Sequence, residues 1–264
     1  MSTPEEQLSL LGNHSASPNL LPVFEAGCPT SDNIIFFLAG FPDHETSGWG
    51  HLLEVLLEAE KSEMAEWRLI CMCLPDFQAN LISAPKRWGW EVQEILKMLE
   101  NTVDKYAGPS KPFKMIVHDW GSVFGFAYEN AHPGRISKLV ALDVGFGISG
   151  TCGLLITILY QWWWAIAYIF SQIFSMSCGE CCFRSYKYLT LRCCQPTPHD
   201  MNTLPRKDFK VHMCYIYYQF WKEVVVHNTK HLAKKFPVCP VLYLVIYSVF
   251  INSHYFLYFN SYIM

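Results

Sequence analysis

The feature of the sequence that most constrains its fold is a regular alternation of short apolar runs with longer amphipathic stretches. Apolar runs occupy residues 34–38, 67–74, 113–117 and 136–142, and each stops close to a glycine, proline or aspartate. Runs of this length are typical of strands that are buried on both faces. Because helical patterns separate the runs, the sequence predicts an α/β fold with a mostly parallel sheet. Functional residues are then expected at the carboxyl ends of the strands.

The 264 residues are enough for one sizeable domain, which the pattern divides into four parts. We predict an N-terminal tail over 1–32, with a candidate edge strand at 20–24, and an α/β core over 33–144. Long helical patterns predict a helical lid over 145–235, inserted into that core. The last part, 236–264, is predicted to begin with a return strand and to continue as a divergent hydrophobic tail.

Charge is scarce and unevenly distributed along the chain. Charged residues make up 16% of the sequence, against about 25% in a typical soluble domain. Residues 144–179 and 236–264 contain no Asp, Glu, Lys or Arg. Two candidate membrane contacts follow. For 145–176, insertion into one leaflet is favoured over a span, and for 238–264 the β-branched and aromatic content also fits exposed, aggregation-prone strand material. The alternative is that the first run is apolar because lid helices cover an active site.

The remaining composition restricts partners and location. With 20 basic and 23 acidic residues the chain has no basic field, so we expect no nucleic-acid partner. The start, MSTPEEQLSL, lacks the features of a signal peptide, which predicts an intracellular protein, cytoplasmic or membrane-associated, and not secreted. Its 11 cysteines are then mostly free thiols. The cluster at 178–182 and 193–194 lacks zinc-ribbon spacing, so we expect no metal; acylation beside a membrane-facing helix is an alternative.

The segment VHDWGS, residues 117–122, places the carboxylate of Asp119 on a predicted strand-to-helix turn. Such a turn presents a nucleophile at the edge of the sheet, beside the positive N-terminus of the next helix. The small Gly121 allows that helix to begin close to the strand. A carboxylate that attacks an sp3 carbon forms an ester that water must then cleave. This chemistry suits epoxides and alkyl halides.

Residues 117–145 resemble the epoxide hydrolases and haloalkane dehalogenases of the α/β-hydrolase fold, and LAGFPD, residues 38–43, resembles their HGFP-type loop. The resemblance implies that Asp119 is the nucleophile and that the backbone N–H groups of Phe41 and Trp120 form the oxyanion hole. It implies no cofactor and a small hydrophobic substrate, such as an epoxide or alkyl halide. Phe41 replaces a halide-binding Asn of the dehalogenases, which favours the epoxide hydrolases. Ala39 stands where the family usually has His.

The resemblance also directs attention to tyrosines in the lid, since these epoxide hydrolases use lid tyrosines to hydrogen-bond the epoxide oxygen. The segment MCYIYYQFW offers Tyr215, Tyr217 and Tyr218 as substrate-binding candidates, of which one or two would face the nucleophile. The alternative is that these side chains only pack within the lid.

The base that activates the hydrolytic water is not recognisable in the sequence. The family's acid follows a late strand, or in some members the strand at 136–142, where Asp143 is the candidate; a non-catalytic strand-end residue is the alternative. The family's late histidine has no counterpart in a Gly-rich loop, and His254 lies too soon after the return strand. The chain is therefore expected to be C-terminally incomplete relative to the family, with an Asp119 ester that forms without turning over. The alternative is a catalytically inactive homologue that binds ligands or membranes.

Overall fold

A six-stranded sheet with helices on both faces forms the centre of the molecule. The computed structural model describes residues 13–15, 17–59, 67–78, 84–142, 150–190 and 210–227. The strands are β1 (Asn13–Ser15), β2 (Val23–Gly27), β3 (Asn33–Leu38), β4 (Trp67–Met72), β5 (Phe113–His118) and β6 (Ile136–Leu142). The helices are α1 (Gly50–Ala59), α2 (Val92–Ala107), α3 (Trp120–Ala131), α4 (Gly150–Ile173), α5 (Met176–Thr190) and α6 (Tyr215–His227), with a 3-10 turn at Val211–Cys214 before α6.

The strand order β1-β2-β4-β3-β5-β6 confirms the predicted α/β class with a mostly parallel sheet. Strands β4, β3, β5 and β6 run parallel, whereas β1 and β2 are antiparallel additions at one side. The prediction of an edge strand at 20–24 was wrong in position. The strand covers Val23–Gly27 and lies one place inside the edge, because β1 pairs with its outer side.

Alternate side chains of the strands supply two separate cores, as expected for strands covered on both faces. Phe36 belongs to the larger core, where α2 and α3 pack through residues such as Leu99 and Phe124. The next residue, Phe37, points to the opposite face and packs in a smaller core beneath α1. The continuous apolar run of β3 is therefore explained by burial on both sides.

The amphipathic pattern of residues 88–106 predicts a helix over that range, but α2 begins later. Trp88 and Gly89 have positive φ values of 64° and 71°, which no right-handed helix accommodates. The helix begins after Glu91, whose side chain and that of Glu94 form a reciprocal capping box.

The helices after β6 form a compact region, here called the cap, that comprises α4, α5, the 3-10 turn and α6. Polar contacts join the cap to the segment that follows β4. The Tyr215 hydroxyl donates to the Pro75 carbonyl at 3.0 Å, and His212 Nε2 lies 3.1 Å from the Asp76 carbonyl oxygen. Within the described ranges no helix has the length and apolar character needed to cross a membrane. The predicted return strand and the tail over 236–264 lie outside the described residues.

Candidate active site

The predicted turn at the end of β5 has the geometry of a strained strand-to-helix junction. Strand β5 ends at His118 and α3 begins at Trp120, so Asp119 alone makes the turn. Its φ of 50° and ψ of −122° are unusual for a residue with a side chain, and such outliers concentrate at functional sites.

Two glycines allow neighbouring backbones to approach this turn closely. A Cβ on Gly121 would lie 2.2 Å from the Leu38 carbonyl oxygen, so only glycine lets α3 begin against the end of β3. A Cβ on Gly40 would lie 2.4 Å from the Trp120 nitrogen and 2.6 Å from Asp119 Oδ2. The loop after β3 and the turn after β5 therefore meet backbone to backbone.

The Asp119 carboxylate is held by one of the two amides that the resemblance implies. The Phe41 N–H donates to Asp119 Oδ2 at 2.8 Å. The backbone of Asp119 is held as well, since its N–H donates to the Leu142 carbonyl and its carbonyl accepts from the Ser122 N–H. The side chain thus sits at the N-terminus of α3 with a fixed orientation, and a helix N-terminus favours negative charge.

Aromatic rings from the core and the cap surround this carboxylate. The rings of Phe41 and Trp120 lie 5.1 Å and 5.3 Å from that of Tyr217, measured between centroids. Trp164 of α4 lies 5.1 Å from Phe41 and 5.0 Å from Tyr217, and Tyr160 lies 4.9 Å from Trp164. A candidate active site with an apolar, aromatic wall results.

The three predicted tyrosines divide into different roles. Tyr217 is buried, and burial together with the nearby charge of Asp119 holds its pKa well above the usual value, so its hydroxyl remains a proton donor. Tyr215 is committed to the Pro75 carbonyl and is an anchor of the cap. Tyr218 packs against Trp88 and lines a surface cleft of about 310 Å³ away from the turn.

Sequence reasoning missed Tyr160, which lies on α4 with its ring 6.2 Å from that of Tyr217. Its sequence context is a continuous apolar helix, and only the packing of α4 on α6 distinguishes it from the other aromatic residues there. The packing of α4 on α6, and not a local sequence motif, identifies Tyr160 as a second tyrosine close to Tyr217.

A polar cluster supports the turn from the opposite side of β5. His118 Nδ1 lies 3.6 Å from Asp43 Oδ2, and the Ser47 hydroxyl donates to Asp43 Oδ1 at 3.1 Å. The His118 ring also packs edge-to-face on Trp49. This cluster connects the loop after β3 with the residue that precedes Asp119.

The predicted Asp143 and the disfavoured His254 both lie beyond the described part of the chain. Asp143 follows Leu142, the last described residue of β6, and His254 lies in the tail; both are outside the described residues. In the described ranges no cluster of three or more His, Cys, Asp or Glu side chains is placed to hold a metal ion. Cys178, Cys181 and Cys182 are free thiols on α5.

Comparisons with known proteins support the fold at low sequence identity. No protein-family model matches the sequence. No curated protein matches it either. A solved structure of a putative lipase from Acinetobacter baumannii superposes with a TM-score of 0.52 at 12% identity, covering 89% of this chain and 74% of the lipase. A haloalkane dehalogenase loop variant from Bradyrhizobium elkanii gives 0.51 at 9% identity, covering 85% and 73%.

Epoxide Hydrolase A from Mycobacterium thermoresistibile matches over 50% of this chain at 19% identity, with a TM-score of 0.39. This chain spans 38% of that enzyme's length. The structural neighbours with a TM-score above 0.5 are α/β-hydrolases of several activities. The chain has the α/β-hydrolase fold.

Proposed function

We propose that the protein is a hydrolase in which Asp119 attacks a carbon of a small hydrophobic epoxide. The observation that carries the proposal is the Phe41 N–H bond to Asp119 Oδ2, which orients a carboxylate close to the aromatic rings of Trp120 and Tyr217. An oriented carboxylate in an apolar site is a competent nucleophile toward an sp3 carbon.

In the first step a carboxylate oxygen of Asp119 forms a bond to the epoxide carbon as the carbon–oxygen bond of the ring breaks. The electron pair goes to the epoxide oxygen, which takes up a proton as it becomes a hydroxyl. Tyr217 is the proposed donor, because its raised pKa keeps the hydroxyl protonated beside Asp119. Tyr160, whose ring lies against Trp164 and near Tyr217, is the proposed second donor.

In the second step water attacks the ester carbonyl, and the bond between that carbon and the alcohol oxygen breaks to release a diol. The tetrahedral intermediate carries negative charge on a former carboxylate oxygen. The N–H of Phe41 already donates to that position, and the N–H of Trp120 is the proposed second donor. Asp143 is the proposed acid that supports a base for this water.

An epoxide is favoured over an alkyl halide for a chemical reason. A leaving halide needs N–H donors from side chains, and Phe41 offers a hydrocarbon ring where a dehalogenase of the resembled group has an amide. An opening epoxide instead needs proton donors, which Tyr217 and Tyr160 supply.

The test is to incubate the protein with a reactive epoxide such as styrene oxide, weigh it intact and measure diol release. We expect a covalent adduct equal in mass to the epoxide, mapped to the peptide that contains Asp119. Asp119→Ala should remove the adduct and any diol, a loss of at least about 10³-fold. Tyr218→Phe is the matched control, because Tyr218 lines the surface cleft beside Trp88, and it should behave like wild type.

The outcomes separate the alternatives. Adduct with little diol indicates an ester that forms but turns over slowly, whereas adduct with steady diol indicates a complete hydrolase. Neither product, or equal rates with Asp119→Ala, would remove Asp119 from the chemistry and favour a protein that binds ligands without converting them.

A further inference from the structure

Helix α4 carries apolar side chains on its outer face as well as on the face packed against the molecule. Its inner face is buried through Ala165, Ala167 and Tyr168. On the outer face Leu159, Trp162, Phe170, Ile173 and Phe174 are exposed, and their spacing places them in one stripe about four turns long. Phe174 is 69% exposed and Ile173 59%. A surface helix normally has polar residues there, whereas within the described residues this stripe stays largely exposed, with Trp162 alone among the five against Trp221.

The residues next to the stripe in sequence are uncharged, and a cationic side chain lies near one end of the stripe. No charged residue occurs in 144–179, and the exposed turn from α4 into α5 continues with Met176 and Cys178. At the C-terminal end of the stripe, Gln172 Oε1 accepts the N–H of Trp88, which brings the loop before α2 alongside. That loop presents exposed Trp88 and Arg87.

Among the described residues, the carboxylates close to this loop are paired with Lys86 or with Lys222, and not with Arg87. Lys86 pairs with Glu94 and Lys222 with Glu91. For Arg87, no ion pair is formed with any residue in the described part of the chain. The end of the stripe therefore combines apolar side chains, an exposed Trp and an arginine.

We propose that α4 lies in the surface of a lipid bilayer, with the stripe Leu159–Phe174 inserted among the acyl chains and Arg87 among the headgroups. Apolar side chains on one face, an aromatic side chain at the boundary and a cation above it are the order of groups across a membrane interface. Insertion to roughly 5–10 Å accommodates one layer of side chains and needs no spanning helix.

A second copy of the chain is the competing occupant, and charge disfavours it. A second copy would bring the same stripe, which has no Asp or Glu, and so would offer Arg87 no anion from that surface. A bilayer with anionic lipids offers acyl chains to the apolar stripe and anionic headgroups to Arg87. This inference does not depend on the chemistry proposed for Asp119.

The test uses the full chain and sedimentation with vesicles of phosphatidylcholine, with and without phosphatidylserine. The double variant Ile173→Asp with Phe174→Asp should reduce the partition coefficient by about tenfold or more, because two charges replace two inserted side chains. The matched control is Val55→Asp on α1, a 49% exposed apolar residue on the opposite side of the sheet, which should bind like wild type. Arg87→Gln should reduce only the gain that phosphatidylserine provides.

A second measurement, labelling of the Cys178 thiol, reports directly on lipid contact near the end of α4 and the start of α5. It does so even if another part of the chain also touches lipid. The exposed thiol of Cys178 should react several-fold more slowly with a polar maleimide when vesicles are present, and the double variant should lose this protection. Unchanged labelling of Cys178, or vesicle binding unaffected by the double variant, would overturn the proposal. So would a dimer in sedimentation velocity that the double variant dissociates while vesicles bind neither protein.

Discussion

The turn around Asp119 and the aromatic cap over it differ in the kind of contact that holds each in place. At the turn, backbones touch, so Gly40 and Gly121 are required, and a hydrogen bond from the Phe41 N–H orients the carboxylate. In the cap, side chains touch, and Tyr217 is placed by rings contributed by several helices. Backbone contact tolerates almost no added volume, whereas a cluster of rings can shift to accommodate change.

The largest effect is expected at the turn, from Gly121→Ala. The new methyl would lie 2.2 Å from the Leu38 carbonyl oxygen, and neither backbone can move without separating β3 from α3. We expect a loss of about 3 kcal/mol in the free energy of unfolding, together with loss of adduct formation at Asp119. Urea unfolding and intact mass would measure the two effects.

The control for this change is Gly134→Ala, where the methyl meets no atom within 4 Å but φ is 80°. Only the conformational penalty remains there, about 1 kcal/mol. Equal losses for the two variants would show that close approach does not determine the turn.

The next effect is expected in the cap, from Tyr217→Phe. Removing the hydroxyl leaves the ring contacts in place but deletes the proposed proton donor beside Asp119, with Tyr160 remaining. We expect adduct formation with styrene oxide to slow by about 10- to 100-fold. Tyr215→Phe should instead lower stability with a smaller effect on the rate, since its hydroxyl holds the Pro75 carbonyl. The reverse pattern would exchange the roles of the two tyrosines.

A third effect concerns alkaline pH. Burial, reinforced by the charge of Asp119, raises the pKa of Tyr217, whereas a tyrosine in the unfolded chain titrates near 10. The folded state keeps a proton that the unfolded state loses, so stability should fall as pH rises above about 10. One such tyrosine contributes a slope of about 1.4 kcal/mol per pH unit.

Urea unfolding between pH 8 and 11 would compare Tyr217→Phe with Tyr128→Phe in the core. Burial also raises the pKa of Tyr128, to about 12. Each variant should therefore show a slope shallower than that of wild type above pH 10 and the same dependence below pH 9. If Tyr217→Phe kept the wild-type slope, the Tyr217 hydroxyl of the wild-type protein would be accessible to water.

The smallest effect is expected behind the turn, from Asp43→Asn. This change weakens the 3.6 Å contact with His118 but keeps an acceptor for the Ser47 hydroxyl, so the cost should be at most about 1 kcal/mol. Asp32→Asn, which breaks an exposed pair with Lys111, should leave the melting temperature unchanged. A loss in Asp43→Asn as large as that in Gly121→Ala would make this polar cluster, and not backbone approach, the main support of the turn.

Much of the core was predictable because its signals are local. Apolar runs that end at Gly, Pro or Asp identified β3 to β6, and the turn at Asp119 follows from small residues beside a carboxylate. The additional strand β1 and the late start of α2 were not predictable. The first is only three residues long and is fixed by its pairing with β2. The second depends on the positive φ of Trp88, which tertiary contacts with Gln172 and Gln219 maintain.

The sequence by itself determined the α/β class and the position of the candidate nucleophile Asp119 at a strand-to-helix turn. Each depends on residues close together in the chain, or on glycines that only close backbone approach requires. Only the tertiary structure decided which of the three predicted tyrosines packs with Phe41 and Trp120, placed Tyr160 near Tyr217, and exposed the apolar stripe of α4. Those outcomes depend on how helices pack, because an aromatic side chain in an apolar helix has the same local pattern whether it faces the core, a substrate or the outside.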